Sequence, residues 1–284
     1  MSVGYVAAAG HHLIDRYNIA NQLFNTPGGT HLYPGMGSID VQDARGNSIY
    51  NGLQAQVSRR FSNGLQFNAA YTFSKTIDDG EGANAVKEQI FQSIPLDRGL
   101  SEQDVRHRFV LSGVYELPFG RGRKLANSIN KAEDALIGGW QLNAILTLQS
   151  GLPFTPTTPG NPSDARPDVV GNLTTNPGNT QEYFNIKALA PAPVNADGVL
   201  LRQGTLGRNV LIGPGVNTID LSMHKNFTLT ERFKLEFRAE AFNIANHPVY
   251  SNPNTDITAG NFGQITGTLQ SSERQLQGVL RLFF

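Results

Sequence analysis

Cysteine is missing from all 284 residues, so the chain forms neither a disulfide framework nor a thiolate metal site. Charge is scarce: 16% of residues are Asp, Glu, Lys or Arg, against about 25% in ordinary soluble domains. Basic and acidic residues balance at 23 each, which lacks the basic excess of a nucleic-acid-binding surface. No window approaches the roughly 18 consecutive apolar residues of a membrane helix. Residues 1–10 lack a basic n-region and a long apolar h-region, so they are not a signal peptide. The expectation is that Met1 is an internal start or belongs to a truncated gene model.

What fills the space is amide and hydroxyl residues, 30 Gly and 15 Pro, arranged in long strict alternation. Leu65, Phe67, Ala69, Tyr71 and Phe73 share one face, while Gln66, Asn68, Ala70, Thr72 and Ser74 share the other. A period of two means a strand, because successive side chains point to opposite faces. Soluble strands run about 5–6 residues, whereas strands crossing a bilayer at a tilt need about 9–11. The pattern recurs at Leu53–Phe61, Phe109–Leu117, Trp140–Leu148, Ile219–Phe227, Phe233–Ala241 and Leu276–Phe284, and residues 2–8 supply a shorter run. The chain therefore reads as all-β: an antiparallel transmembrane β-barrel segment of about eight long strands.

Connections alternate in length too. Residues 62–64 and 228–232 make short turns, 118–138 an intermediate one, and 76–104, 152–215 and 244–274 long loops rich in Gly, Pro and Asn. Short periplasmic turns and long extracellular loops are the outer-membrane arrangement. With Phe284 ending a strand that descends to the periplasm, Phe61, Tyr115, Trp140, Phe227 and Phe233 also fall near that rim. Tyr71, Phe73 and Phe109 fall near the outer rim, so two aromatic girdles are expected at the membrane interfaces. The charged exceptions on the apolar face, Arg59, Lys75 and Lys225, lie near strand ends, where a charge costs about 0–1 kcal/mol rather than about 2–4 at the midplane. A soluble β-sandwich, apolar inside and polar outside, shares the alternation and stays open as the alternative.

Several segments resemble the barrel domain of Oar-like TonB-dependent transporters. They include Tyr50-Asn51-Gly52-Leu53-Gln54, Arg59-Arg60-Phe61-Ser62-Asn63-Gly64-Leu65 and Ala70-Tyr71-Thr72-Phe73-Ser74-Lys75. Asp104-Val105-Arg106-His107-Arg108-Phe109, Tyr115-Glu116-Leu117-Pro118-Phe119-Gly120 and Gly138-Gly139-Trp140-Gln141-Leu142 follow. Then come Gln149-Ser150-Gly151-Leu152-Pro153-Phe154, Gly207-Arg208-Asn209, Lys225-Asn226-Phe227 and Glu240-Ala241-Phe242-Asn243. The likeness runs in order from about Tyr5 to Phe284. It implies that residues 1–284 are the C-terminal part of such a barrel, with the signal peptide and plug domain of the relatives absent and about 22 strands in the whole. The ending Leu280-Arg281-Leu282-Phe283-Phe284, with Leu280, Leu282 and Phe284 in alternation, resembles the signal read by outer-membrane assembly machinery. Outer-membrane lipid and that machinery are the implied partners, with a plug domain and TonB only within a longer protein.

Other constellations read as structural. Asp220, Ser222 and His224 sit at i, i+2 and i+4 on one strand, about 6.5–7 Å apart, beyond the contact of about 2.6–3.2 Å that a catalytic triad needs. His11-His12 lacks a third ligand and reads as a loop or rim pair. Asp78-Asp79-Gly80-Glu81 lacks EF-hand spacing and reads as a solvated acidic loop tip. Gly120-Arg121-Gly122-Arg123-Lys124 fails the Walker pattern and reads as a periplasmic turn facing anionic headgroups. Lys234, Glu236, Arg238 and Glu240 form four alternating charges that cannot face hydrocarbon; a plug-facing ion network and a self-paired pore wall both fit them. No cofactor or metal site and no enzymatic activity is expected. The expected function is an outer-membrane receptor or transporter barrel for a large nutrient such as an oligosaccharide or peptide. A surface-exposed adhesion or interaction protein without transport is the alternative.

Overall fold

A computed structural model describes residues 1–18, 39–80, 94–158, 165–196, 200–270 and 272–284. Eight long strands form one antiparallel sheet in sequence order. They are β1 (Ser2–Asn18), β2 (Asp40–Ser62), β3 (Leu65–Asp78), β4 (His107–Glu116), β5 (Trp140–Gln149), β6 (Val216–Thr228), β7 (Lys234–Phe242) and β8 (Gln275–Phe283). A two-residue strand, Gly99–Leu100, pairs with the end of β3. Among the described residues β1 pairs with β2 alone and β8 with β7 alone, so the sheet is open at both edges.

The register carries the alternation across the whole sheet. Tyr5 faces Leu53, Leu53 faces Phe73, Tyr71 faces Phe109, and Phe109 faces Leu148. Leu146 faces Ile219, Leu221 faces Ala241, and Ala241 faces Leu276. Every junction thus joins apolar positions to apolar positions, because a slip of one residue would turn a whole strand inside out. On the reverse face Gln54 meets Thr72, Asn68 meets Ser112, and Asn143 meets Ser222.

Burial decides between the two folds that alternation allows. A sandwich would cover the apolar face with a second sheet. Here Leu53 is 44% exposed, Phe73 44%, Leu276 71% and Leu280 68%. Among the described residues, every buried hydrophobic residue lies outside the eight long strands, between residues 154 and 265. Apart from its short-turn end at Trp140 and Lys225, the apolar face is left uncovered in the described residues, as a lipid-facing wall requires.

The turn between β2 and β3 has positive φ at both Asn63 (53°) and Gly64 (77°), the backbone of a two-residue type I′ hairpin. Two expectations change. β1 runs to Asn18 rather than ending near Ala8, and β2 begins at Asp40, well before Leu53. At 23 residues β2 is about twice the length needed to span a bilayer. Its hairpin with β1 therefore stands clear of the membrane, where neither face needs apolar side chains. His11 and His12 lie in a bulge of β1 between Gly10 and Leu13, not in a loop. There His11 bonds Asn47 Oδ1 at 3.1 Å and His12 contacts Ala44 O at 3.3 Å.

The intermediate turn holds a helix, α1 (Lys131–Ile137), that the alternation gave no sign of. A reciprocal capping box starts it: Glu133 N donates to Asn130 Oδ1 at 2.9 Å, and Asn130 N to Glu133 Oε2 at 3.0 Å.

Candidate functional site

The long connections gather at one end of the wall, beyond Asp78, Gln149 and Phe242, and pack against one another. The β5–β6 and β7–β8 connections share a core of Phe154, Tyr183, Phe184, Leu206, Leu211 and Phe262 with neighbouring aliphatics. Phe184 is fully buried at its centre, edge-on to Phe262 with centroids 5.3 Å apart and 5.9 Å from Phe154. Short strands tie the connections down, Pro153–Phe154 with Leu211–Ile212 and Asp168–Val169 with Leu189–Ala190. The apolar residues of these loops thus build a cap with its own core, which the sequence had shown as loops without internal packing.

A buried polar seam joins the cap to the β3–β4 connection. Arg208 Nε donates to Asp97 O at 2.5 Å, and its Nη2 to Asp78 O at 2.8 Å and to the Asp78 carboxylate. Arg166 Nη2 donates to Leu96 O at 2.9 Å and to Asp97 Oδ1 at 3.0 Å. Burial lowers the Arg166 guanidinium from its ordinary value; Asp97 opposes that shift and the like charge of Arg208 adds to it. Asn209 completes the seam: its Nδ2 donates to Leu100 O at 2.7 Å and its N to Thr155 Oγ1 at 2.7 Å. Closer to the wall, Asp104 Oδ1 accepts Thr76 N at 2.6 Å.

The described carboxylates of the acidic tip, Asp78 and Asp79, are accordingly not solvated. Asp79 is 4% exposed, accepting from Asn47 N, Asn47 Nδ2 and Arg98 Nη1, while Asp78 pairs with Arg208. The Asp78 carboxylate, beside the buried guanidinium of Arg208, is drawn out of water to neutralise it. Glu81 lies outside the described residues. Beside the seam a cavity of about 400 Å³ is lined by Glu102, Phe154, Thr155, Arg166, Arg208 and Asn252 among others. It offers one aromatic wall, hydroxyl and amide groups, and charge of both signs.

The charged residues of β7 are held on the polar face. Arg238 Nη2 pairs with Glu236 Oε1 at 2.7 Å and Nη1 approaches Glu240 Oε1 at 3.5 Å, while Gln277 Nε2 donates to Glu240. Lys234 is exposed, opposite Thr228 and Phe283. Asp220, Ser222 and His224 are not brought together: Asp220 Oδ1 accepts Asn243 N, and Ser222 Oγ accepts Asn143 Nδ2 at 3.0 Å.

The aromatic positions divide between the rims. Phe61, Tyr115, Trp140, Phe227 and Phe233 lie at the short-turn end, where Trp140 faces Lys225 and Phe227 faces Leu235. Tyr71, Phe73 and Phe109 lie towards the loop end around His107, with Tyr71 Oη 2.8 Å from His107 Nδ1 and the Phe73 ring 5.1 Å away. Leu280 and Leu282 face Phe237 and Leu235, and Phe284 lies just past β8, 89% exposed. Lys225 departs from a simple interfacial lysine. It is 4% exposed, and its Nζ donates to Asp134 O at 3.1 Å and to Gly138 O while lying 5.6 Å from the Trp140 ring. Asn130 and Glu133, spaced as a capping box, were the one signal in the sequence for the helix it holds.

One apolar face largely without protein cover, one amide-rich face, short turns at one rim and a loop cap at the other define an outer-membrane β-barrel protein. The profile of a known family, the outer membrane beta barrel domain, matches residues 1–277, and the chain belongs to that family. No curated protein matches it. Its place is the bacterial outer membrane, with the apolar face in lipid.

Proposed function

We propose that this chain forms wall and outer vestibule of an outer-membrane receptor or transporter of the TonB-dependent, Oar-like type. Its cargo would be a large polar nutrient such as an oligosaccharide or peptide, bound without chemical change. The observation that carries the reading is the cavity of about 400 Å³ in the loop cap. An aromatic side chain beside hydroxyl, amide and charged groups suits sugars and peptides, which present apolar faces and many hydrogen-bonding groups together. A plug domain and TonB belong to this reading as parts and partners of a longer protein, and Leu280, Leu282 and Phe284 as the segment offered to the assembly machinery.

The test measures binding and uptake of oligosaccharide and peptide panels by cells carrying the wild-type protein or Asn252→Trp, which enlarges a side chain lining the cavity. Loss of binding and uptake for one solute class is expected. Uptake of every solute unchanged by the substitution contradicts the reading. The self-contained core of the cap favours one second reading, a displayed surface that binds another molecule without transport. Binding that survives with no uptake in either strain supports that alternative.

A further inference from the structure

We propose that α1 and the turn around it form an interfacial foot that rests in the inner-leaflet headgroup region of the outer membrane. Two anchors place the helix on the lipid side of the wall. Trp140 and Lys225 face each other on the apolar face of β5 and β6. Trp140 Nε1 donates to Leu136 O at 2.8 Å, and Lys225 Nζ donates to Asp134 O and Gly138 O. The carbonyls at the C-terminal end of the helix are thereby held by two side chains of the lipid-facing surface, Asp134 O in addition to its bond from Gly138 N.

The helix presents its faces accordingly. Asp134 is half-buried, and its Oδ1 accepts Arg121 N at 2.7 Å. Ala132 and Leu136, four residues apart, share the face on the far side from Asp134. No residue of α1 is buried; Leu136 is 72% exposed and Ile137 46%. Beside them Phe119 (40% exposed) and Leu125 (49%) are bridged in parallel. Four large apolar side chains thus stand uncovered next to the lipid-facing band of Tyr115, Trp140 and Phe227.

The same turn carries Arg121, Lys124 and Lys131, all exposed and without a carboxylate partner among the described residues, whereas Arg123 pairs with Glu116 at 3.0 Å. An apolar surface continuous with the bilayer-facing wall and fringed by cations fits phospholipid, whose acyl chains meet the first and whose phosphates meet the second.

The absence of cysteine makes single-cysteine variants specific reporters. The full protein, purified from outer membranes, carries Leu136→Cys, Ala132→Cys or, as a reference at an exposed polar position of the next periplasmic turn, Thr230→Cys. Each is reacted with a membrane-impermeant maleimide in leaky vesicles of phosphatidylethanolamine and phosphatidylglycerol. Leu136→Cys and Ala132→Cys are expected to react several-fold more slowly than Thr230→Cys. Equal rates in the vesicles overturn the proposal. Protection seen in native envelopes but lost in the vesicles also overturns it, because a protein rather than lipid then covers the helix.

Discussion

Arg208 and Asp97 lie 111 residues apart in sequence, yet Arg208 Nε donates to the Asp97 backbone oxygen at 2.5 Å in the buried seam beneath the loop cap. Arg166 binds the carboxylate of that same aspartate, so one residue of the β3–β4 connection holds two guanidiniums of the β5–β6 connection. Charges out of water stay there only when each keeps its partner, and removing one leaves the other uncompensated.

Replacing Asp97 with Asn is therefore expected to destabilise the cap by about 3–5 kcal/mol and leave the wall intact. Limited proteolysis of outer-membrane vesicles checks this. Cleavage within 152–215 should accelerate while the strands remain protected, and an unchanged digestion pattern would count against the seam.

Gly204 tests the packing above the seam. A Cβ there would lie 1.7 Å from the backbone oxygen of Arg166. Gly204→Ala forces the two segments apart and is expected to destabilise the cap by about 1–3 kcal/mol, read as faster hydrogen exchange at Leu206 N, which donates to Pro167 O at 3.1 Å.

Acid should loosen the cap at a second place. Arg202 holds Asp168 through two bonds of 2.7 Å, and this hydrogen bonding, aided by Thr205 N, lowers the Asp168 carboxyl below the ordinary aspartate value against the opposing effect of burial. A lowered folded value means that the clasp contributes fully above the ordinary aspartate range and is lost as pH falls below it, through the folded value. Arg202 is half exposed, so the contribution is small. Proteolysis of wild type and Asp168→Asn should differ at neutral pH and converge in acid. A difference that persists in acid would contradict the assignment.

Lys225→Met removes the cation from the end of α1 while preserving the apolar stem. The loss of its bonds to Asp134 O and Gly138 O is expected to cost about 1–3 kcal/mol locally. Amide exchange across 131–138 should rise, while exchange at the β5–β6 junction stays unchanged.

How far these features could be read beforehand depended on distance along the chain. Alternation located every long strand from Leu53 onward, because lipid demands apolar side chains at each second position of the span. Asn63-Gly64 declared its turn because both residues must take positive φ. The outer parts of β1 and β2 gave no such signal, since Asp40–Ser48 lies beyond the span in which lipid demands apolar side chains. The cap core was hidden for another reason: Phe154, Phe184 and Phe262 meet through tertiary packing and follow no period. The Asp97 seam was equally invisible, as its partners lie 69 and 111 residues away.

The most direct test of the wall is a spin-label scan of β5, one cysteine at a time from Gln141 to Leu148, in the native outer membrane. Labels at Leu142, Ala144, Leu146 and Leu148 should be reached by oxygen dissolved in the bilayer, and those at Gln141, Asn143, Ile145 and Thr147 by a water-soluble relaxant, alternating with a period of two. Uniform access of the water-soluble relaxant along the strand would contradict the lipid-facing barrel wall.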